Sequence, residues 1–182
     1  MISEKELKRY SKFMSLVLRH RPEQIGLRLD ENGWADVNEL IEKMNMYDCQ
    51  LDQSIVEYLV ATNNKQRFAF NADKSRIRAN QGHSLSVDLQ FVSLQPPNVL
   101  YHGTAAVNLT SILASGLEKR DRQHVHLSSE VETARTVGQR HGKPIVLHID
   151  AAKMFNDGWV FYKSENGVWL TDAVPAFYIR TI

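Results

Sequence analysis

Apolar residues recur at helical intervals in the first part of the chain. After Ser3 and Glu6, which have the spacing of a capping box, apolar positions stand three or four residues apart as far as Leu18. Pro22 disfavours a helical conformation at the residue before it, so this helix is predicted to end there. Two similar runs follow, each after an aspartate that can cap a helix, at Asp36 and Asp52.

The apolar period then changes from helical to alternating. Residues 66–70 and 76–79 flank a polar turn at 71–75, which predicts a β-hairpin. Three short helices followed by a hairpin is the order of a winged-helix module. Such modules often bind nucleic acid but many bind only protein, so the order alone does not identify a function.

A second lobe is predicted after Pro96 and Pro97, because two prolines end regular structure and stiffen a connection. The predicted division is therefore 1–95 and 96–182. In the second part, strands are predicted at 99–101, 145–149, 159–162, 168–171 and 176–182. Helices are predicted at 108–115 and from a capping box at Ser129 and Glu132 to about residue 141. The predicted fold class is α+β, with a winged-helix-like lobe followed by a mixed, strand-rich lobe.

The segment RQHVHLS at 122–128 carries the strongest chemical signal within one predicted element. Apolar and polar residues alternate there, so its polar side chains are predicted to share one strand face. Those side chains are Arg122, His124, His126 and Ser128. This row of a guanidinium, two imidazoles and a hydroxyl is suited to one side of a binding site for an anionic ligand. The alternative is a solvated outer face that carries two histidines by chance.

Composition narrows the classes of partner. The 22 Lys and Arg nearly cancel the 21 Asp and Glu, so the chain has no overall polycationic field and must meet a polyanion with a local cluster. Its one cysteine, Cys49, fits a reducing compartment, and the charged N-terminal segment and lack of a long apolar run favour a cytoplasmic protein without a membrane contact. The seven histidines lack zinc-ligand spacing, so no metal is expected.

Arginine and histidine concentrate where predicted elements end. They occur in LRHRP at 18–22, KQRF at 65–68, RIRANQGHS at 76–84 and YHGT at 101–104. Arginine binds phosphate with two parallel hydrogen bonds, and histidine can also move protons near neutral pH. These segments, drawn from both predicted lobes, predict a cleft that handles phosphate.

Six segments in this order, LRHRP, KQRF, RIRANQGHS, YHGT, RQHVHLS and NGVWLT, are similar to those of the RNA 2′-phosphotransferases, the KptA family. The resemblance covers nearly the whole chain. It implies an N-terminal winged-helix lobe, a C-terminal lobe of the ADP-ribosyltransferase type, and NAD as co-substrate. It further implies removal of an internal 2′-phosphate from RNA, such as the one left at a tRNA splice junction, with no obligate protein partner.

The resemblance also implies roles for individual residues. A tetrad handles the phosphate and corresponds to Arg19, His20, Arg67 and Arg122. The His-Gly-Thr strand end, which would hold the nicotinamide riboside, corresponds to His102, Gly103 and Thr104. His126 and Ser128 would lie along the other side of the dinucleotide. The segment after the hairpin supplies candidates for RNA contacts, at Arg76, Arg78, Asn80, Gln81 and His83.

One departure concerns the catalytic glutamate that many ADP-ribosyltransferases carry near their third motif. This chain has Asn166-Gly167-Val168-Trp169 there, with Glu165 adjacent. A phosphate monoester is already largely ionised near neutral pH and does not need a carboxylate base. Two alternatives stay open: an ADP-ribosyltransferase acting on a terminal nucleic-acid phosphate or a protein, and a non-catalytic winged-helix protein that binds RNA.

Overall fold

The computed structural model describes residues 2–182, with only the backbone described at residue 141, and the chain divides into two compact units. These are Met1–Gln90 and Phe91–Ile182, so the division falls a few residues before the one that the prolines predict. The connecting residues pack with the second unit, which explains the shift. The Phe91 ring lies 6.3 Å from that of Tyr162, and the Leu94 N–H donates to the Phe161 carbonyl at 2.9 Å.

Over residues 2–90, the first unit contains three helices and one small sheet. Its elements are α1 (Glu4–Arg19), β1 (Ala35–Asp36), α2 (Val37–Asn45), α3 (Gln53–Ala61), β2 (Phe68–Phe70) and β3 (Arg76–Ala79), with a 3₁₀ turn at Pro22–Ile25. The capping predictions are confirmed. The Ser3–Glu6 capping box is complete, and Asp36 and Asp52 each accept a backbone N–H from the first turn of their helix.

The hairpin prediction is also confirmed, although the sheet has one strand that sequence patterning missed. Strands β2 and β3 pair antiparallel, and the two-residue β1 adds to the other edge of β3, giving the order β1-β3-β2. The inward face of β3 is filled by Ile77 and Ala79, which join a core built on Tyr10, Met14 and Leu18 of α1. Arg76 and Arg78 therefore lie on the opposite face of β3.

The second unit is strand-rich, with three helices. Its elements are β4 (Val99–Ala105), α4 (Leu109–Ser115), β5 (Leu117–Glu118), β6 (Val125–Leu127), α5 (Val131–Gly138), β7 (Pro144–Asp150), α6 (Ala151–Asn156), β8 (Tyr162–Lys163), β9 (Trp169–Thr171), β10 (Ala173–Val174) and β11 (Ile179–Thr181). They form three small antiparallel sheets, ordered β11-β7-β4, β6-β9-β8 and β10-β5. The chain is thus a mixed α+β protein.

Strand β4 is longer than predicted. It was expected to end with the YHGT segment, but it pairs with β7 residue for residue from Val99 opposite Asp150 to Ala105 opposite Pro144. His102, Gly103 and Thr104 therefore lie inside a strand, not at its end. The long partner strand β7 supplies the hydrogen bonds that keep this polar segment extended.

Strand β6 is shorter than predicted, so the expected strand face over 122–128 is wrong in its first half. Only Val125–Leu127 pairs with β9, and Arg122 to His124 form a bend before it. The limit is set by the partner, because β9 ends at Thr171 opposite Val125 and the chain then enters β10, which pairs with β5.

Two further boundaries differ from the predictions, and the capping box expected at Ser129 and Glu132 does not form, since no side chain caps α5. Helix α5 begins after Glu130 and not after Ser129, and the Ser128 hydroxyl accepts the Glu130 N–H at 3.1 Å. The last predicted strand begins with a 3₁₀ turn at Ala176–Tyr178 and becomes extended only at Ile179.

Gly103 allows α5 to pack directly on β4. A Cβ built at Gly103 would overlap the Ala134 carbonyl and lie 2.9 Å from the Gly138 nitrogen. Gly138 makes the reciprocal approach, since its own Cβ would meet the Thr104 carbonyl oxygen at 2.8 Å. The two glycines bring the backbones of helix and strand together. Within residues 2–182, no helix is long and apolar enough to span a membrane.

We predict that Gly103→Ala destabilises the protein by about 3 kcal/mol or more, because the added methyl meets backbone atoms that cannot rotate away. Gly167→Ala is the control: its site is open, but its φ of 80° gives an expected cost of about 1 kcal/mol. Urea denaturation of both variants measures the difference. Equal denaturation midpoints for the two variants would show that the packing of α5 on β4 does not require a glycine at position 103.

Candidate active site

The C-terminal end of α1 places two of the predicted phosphate residues side by side. Arg19 is the last helical residue, and His20 is the C-cap that leaves helical geometry. The segment after β3 fixes this end from outside the helix. The Ser84 N–H donates to the Arg19 carbonyl at 3.0 Å, and the Ser84 Oγ lies 3.0 Å from Nδ1 of His20. Ser84 thus orients the imidazole.

Arg67 joins the same end of α1 through its backbone and is held by an amide. Its carbonyl accepts a hydrogen bond from Nη2 of Arg19 at 3.4 Å, and its own Nη1 donates to Oδ1 of Asn63 at 3.2 Å. Burial lowers the pKa of the Arg67 guanidinium, and no opposing contribution from a carboxylate is found among the described residues. A partly buried cation of this kind is suited to a negatively charged ligand.

Asn80 fixes the loop that carries Arg67. Its backbone N–H donates to the Arg67 carbonyl at 2.9 Å, and its Nδ2 donates to the Gln66 carbonyl at 2.6 Å. Gln66 has a φ of 42°, a left-handed conformation that is uncommon outside glycine. Asn80 is only 6% exposed. The sequence predicted an RNA contact for Asn80, but the structure gives it a supporting role beneath Gln66 and Arg67.

The two arginines of β3 are in different environments. Arg78 stacks over the Trp34 ring, with its guanidinium carbon 4.4 Å from the ring centroid. Arg76 forms an ion pair with Asp30, at 2.6 Å from Nη1 to Oδ2. Arg76 is therefore paired with a carboxylate, whereas Arg78 is stacked on an aromatic ring.

His83 is fully buried, so the predicted direct contact with RNA is not what this structure shows. Burial, together with the positive charges of Arg19, His20 and Arg78, lowers the pKa of His83 from 6.5 to about 4. The nearby Leu18 backbone acts weakly in the opposite direction, although neither ring nitrogen has a hydrogen bond of regular geometry. The ring is neutral at physiological pH.

Gln81, the remaining residue predicted to contact RNA, is half-buried, and its Oε1 has no hydrogen-bond partner among residues 2–182. The first unit thus brings together Arg19, His20, Arg67 and Arg78, each half-buried. The positive potential of three of these groups adds to burial in lowering the pKa of His83. Such a concentration of positive charge can bind an anion with two or three negative charges.

In the second unit, His102 is linked to the strand that carries His126. Nδ1 of His102 lies 3.0 Å from the His126 carbonyl oxygen, so Nδ1 carries the proton and donates. Burial lowers the pKa of His102, and this carbonyl opposes the shift. The ring is therefore neutral, and its Nε2 is a hydrogen-bond acceptor. This polarity suits a hydroxyl donor, such as one on a ribose.

Gly103 and Thr104, for which ligand contacts are predicted, also have packing roles in the second unit. Gly103 lies under α5, where its missing side chain serves helix packing. Thr104 is 6% exposed, and its hydroxyl accepts a hydrogen bond from Nδ2 of Asn108 at 3.4 Å. Both residues support the strand on which His102 stands.

Arg122 contacts His126 although it lies outside the strand. Its Nη1 is 3.3 Å from Nδ1 of His126, and because a guanidinium can only donate, Nδ1 must accept in this contact. Ser128 is a bridge partner of Tyr101, and its hydroxyl bonds to the backbone of Glu130. The second unit therefore brings Arg122, His126 and His102 into one connected group.

Two other residues singled out from the sequence have different surroundings. His124 lies between two aromatic rings, 6.1 Å from that of Phe91 and 5.6 Å from that of Tyr162, and burial lowers its pKa. It therefore packs in an aromatic cluster. Glu165 is exposed in the turn between β8 and β9. No group of three or more His, Cys, Asp or Glu with metal-binding geometry occurs in the described part of the chain.

Sequence analysis missed three supporting residues: Ser84 beside His20, Asn63 beside Arg67, and Trp34 beneath Arg78. Ser84 ends the RIRANQGHS segment, so its position in that motif was an available signal. Asn63 and Trp34 lie in ordinary turn and loop contexts, and only the folded structure shows what they contact.

Comparison with known proteins identifies the family. The chain belongs to the RNA 2′-phosphotransferase, Tpt1 / KptA family, which it matches over residues 5–173. It is 54% identical over 179 residues to a probable RNA 2′-phosphotransferase of Flavobacterium johnsoniae, with 98% of each chain covered. It is 55% identical over 175 residues to the protein of that name from Acaryochloris marina, covering 96% of this chain and 97% of the relative. It is also 50% identical over 182 residues to that of Pseudomonas fluorescens, with both chains fully covered.

Proposed function

We propose that this protein removes an internal 2′-phosphate from RNA and transfers it to NAD. Family membership supports a 2′-phosphate of RNA as the substrate. The observation that carries the proposal is the group of Arg19, His20 and Arg67 at the end of α1, where a partly buried guanidinium is held without a carboxylate. In this proposal the first unit is a winged-helix-like lobe that binds RNA phosphate. The second unit is an ADP-ribosyltransferase-like lobe that binds NAD.

The phosphate is handled by Arg19, His20, Arg67 and Arg122 in this proposal. Arginines stabilise the charge that gathers on phosphate oxygens in a phosphoryl-transfer transition state. Arg78 and Gln81 serve contacts to the rest of the RNA, which add affinity without taking part in the reaction. Arg76 contributes less, because Asp30 already compensates its charge.

For NAD, we propose contacts from His102, His126 and Ser128, with Gly103 and Thr104 supporting the strand. The neutral His102 ring has Nε2 available to accept from a ribose hydroxyl, so the donor set fits a nicotinamide riboside. Glu165 is not required as a base. We expect the reaction in the cytoplasm, on an RNA such as a spliced tRNA, with no metal and no obligate protein partner.

In the first step, an oxygen of the RNA 2′-phosphate attacks the anomeric carbon of the nicotinamide ribose. The bond from that carbon to the nicotinamide nitrogen breaks, and neutral nicotinamide leaves with the electron pair. The phosphate is already ionised, so this step needs orientation and no proton transfer. Its product is RNA joined through the 2′-phosphate to ADP-ribose.

In the second step, the ribose 2″-hydroxyl attacks phosphorus and the bond from phosphorus to the RNA 2′-oxygen breaks. The 2″-hydroxyl gives up its proton to water, and the departing oxygen takes a proton from the protein to become the RNA 2′-hydroxyl. The other product is ADP-ribose 1″,2″-cyclic phosphate. We assign His20 as the acid for the departing oxygen, because its imidazole is oriented by the Ser84 hydroxyl and can move a proton near neutral pH. Arg19 is the alternative, as a purely electrostatic group.

The direct test is incubation of the protein with an internally 2′-phosphorylated oligonucleotide, with and without NAD. We predict one nicotinamide released for each 2′-phosphate removed, no removal without NAD, and no inhibition by EDTA. A stable ADP-ribosylated RNA as the only product would favour the other ADP-ribosyltransferase reaction. Binding of the RNA without turnover would favour a non-catalytic binding protein.

We predict that His20→Ala separates the two steps. General-acid assistance is worth about 10²–10⁴ in rate, so the second step should slow by that order while nicotinamide release changes much less. With labelled RNA, an adduct larger by one ADP-ribose should accumulate. Arg19→Ala is the comparison, and accumulation there but not in His20→Ala would move the acid role away from His20.

A further inference from the structure

Asn63 connects three parts of the first unit through one side chain. It lies just after α3, and its Oδ1 accepts the backbone N–H groups of Lys65 and Arg67, at 3.2 and 3.4 Å, as well as Nη1 of Arg67. Its Nδ2 donates to the Ser11 hydroxyl on α1 at 3.4 Å. The same carboxamide therefore shapes the turn, orients the guanidinium and ties both to α1.

The partner of Arg67 differs in charge from the partners of two other arginines in this unit. Arg9 pairs with Asp48 at 3.1 Å, and Arg76 pairs with Asp30 at 2.6 Å. These carboxylates compensate the charges they contact. The Asn63 amide orients the Arg67 guanidinium but leaves its charge uncompensated in a partly buried position, which is the cause of its lowered pKa.

We propose that Asn63 is a positioning residue that holds Arg67 by a neutral contact, so that the full charge of the guanidinium stays available to the 2′-phosphate. The proposal rests on the assignment of Arg67 to phosphate binding. A carboxylate at position 63 would pair with Arg67 more strongly than the amide does in the protein without ligand. The proposal therefore predicts that the asparagine makes the folded protein less stable than an aspartate would, but makes it bind the 2′-phosphate more tightly.

Asn63→Asp is the informative change because it keeps the size and the acceptor oxygens and adds one negative charge. The new carboxylate would form a charge-assisted hydrogen bond with Arg67 and would repel an arriving phosphate. Ser11 can reverse its hydroxyl and donate to the second carboxylate oxygen. Stability should therefore stay equal or rise, while phosphate binding falls.

The control is Asn64→Asp, which adds the same charge at the adjacent exposed position. Asn63→Ser is a second variant, in which the guanidinium loses its partner without gaining a negative neighbour. The full-length variants would be compared by urea denaturation, and by calorimetric titration with a 2′-phosphorylated dinucleotide and with its unphosphorylated counterpart.

We expect Asn63→Asp to bind the 2′-phosphorylated dinucleotide at least tenfold more weakly than the unchanged protein, with no loss of stability. The unphosphorylated dinucleotide should bind equally to both, and Asn64→Asp should match the unchanged protein throughout. Asn63→Ser should be less stable but should bind the phosphorylated ligand better than Asn63→Asp does. If Asn63 had only a structural role, a variant that keeps its stability would also keep its affinity for the phosphorylated ligand.

Two results would overturn the inference while the proposed function stands. One is unchanged affinity of Asn63→Asp for the phosphorylated dinucleotide. The other is an Asn63→Asp protein that is destabilised or fails to fold, because the added ion pair is expected to hold the turn. If the unchanged protein itself shows no preference for the phosphorylated dinucleotide, the assignment of Arg67 to phosphate binding is contradicted instead.

Discussion

Positive charge concentrated at the C-terminal end of α1 is the constraint on which the first unit depends. Burial, and then the positive charges of Arg19, His20 and Arg78, depress the pKa of His83, and burial alone depresses that of Arg67. Keeping cations close together and partly out of water costs free energy unless an anion joins them. Neutral groups supply several of the contacts here, namely the Ser84 hydroxyl, the Asn63 and Asn80 amides and the Trp34 ring.

The second unit depends on a different constraint, the direct packing of helix against strand. Gly103 and Gly138 let the backbones of α5 and β4 meet, and the pairing of β4 with β7 keeps the strand straight through His102. The carbonyl of His126 then fixes the His102 tautomer, while the His126 ring receives the Arg122 guanidinium. A backbone carbonyl thus orients the His102 ring, and its Nε2 can accept a hydrogen bond from a ligand.

Features that depend on neighbours in sequence could be predicted, and those that depend on distant partners could not. The capping roles of Ser3, Asp36 and Asp52 follow from residues three positions away. The length of β6 could not be read from its alternation, because it is set by where β9 ends. The types of residue likewise identified the motifs, but they did not show what each residue in a motif contacts. Asn80 and His83 carry polar groups typical of RNA contacts, yet the fold buries both.

The central claim, that the charge at the end of α1 binds the 2′-phosphate, can be tested through His83, which senses that charge from a buried position. The measurement is the pKa of the His83 ring by NMR, in the free protein and with a saturating 2′-phosphorylated dinucleotide. A bound anion would offset the potential of Arg19, His20 and Arg78, so the pKa should rise from about 4, and the unphosphorylated dinucleotide should leave it unchanged. Binding of the phosphorylated dinucleotide without a rise in this pKa would contradict the account.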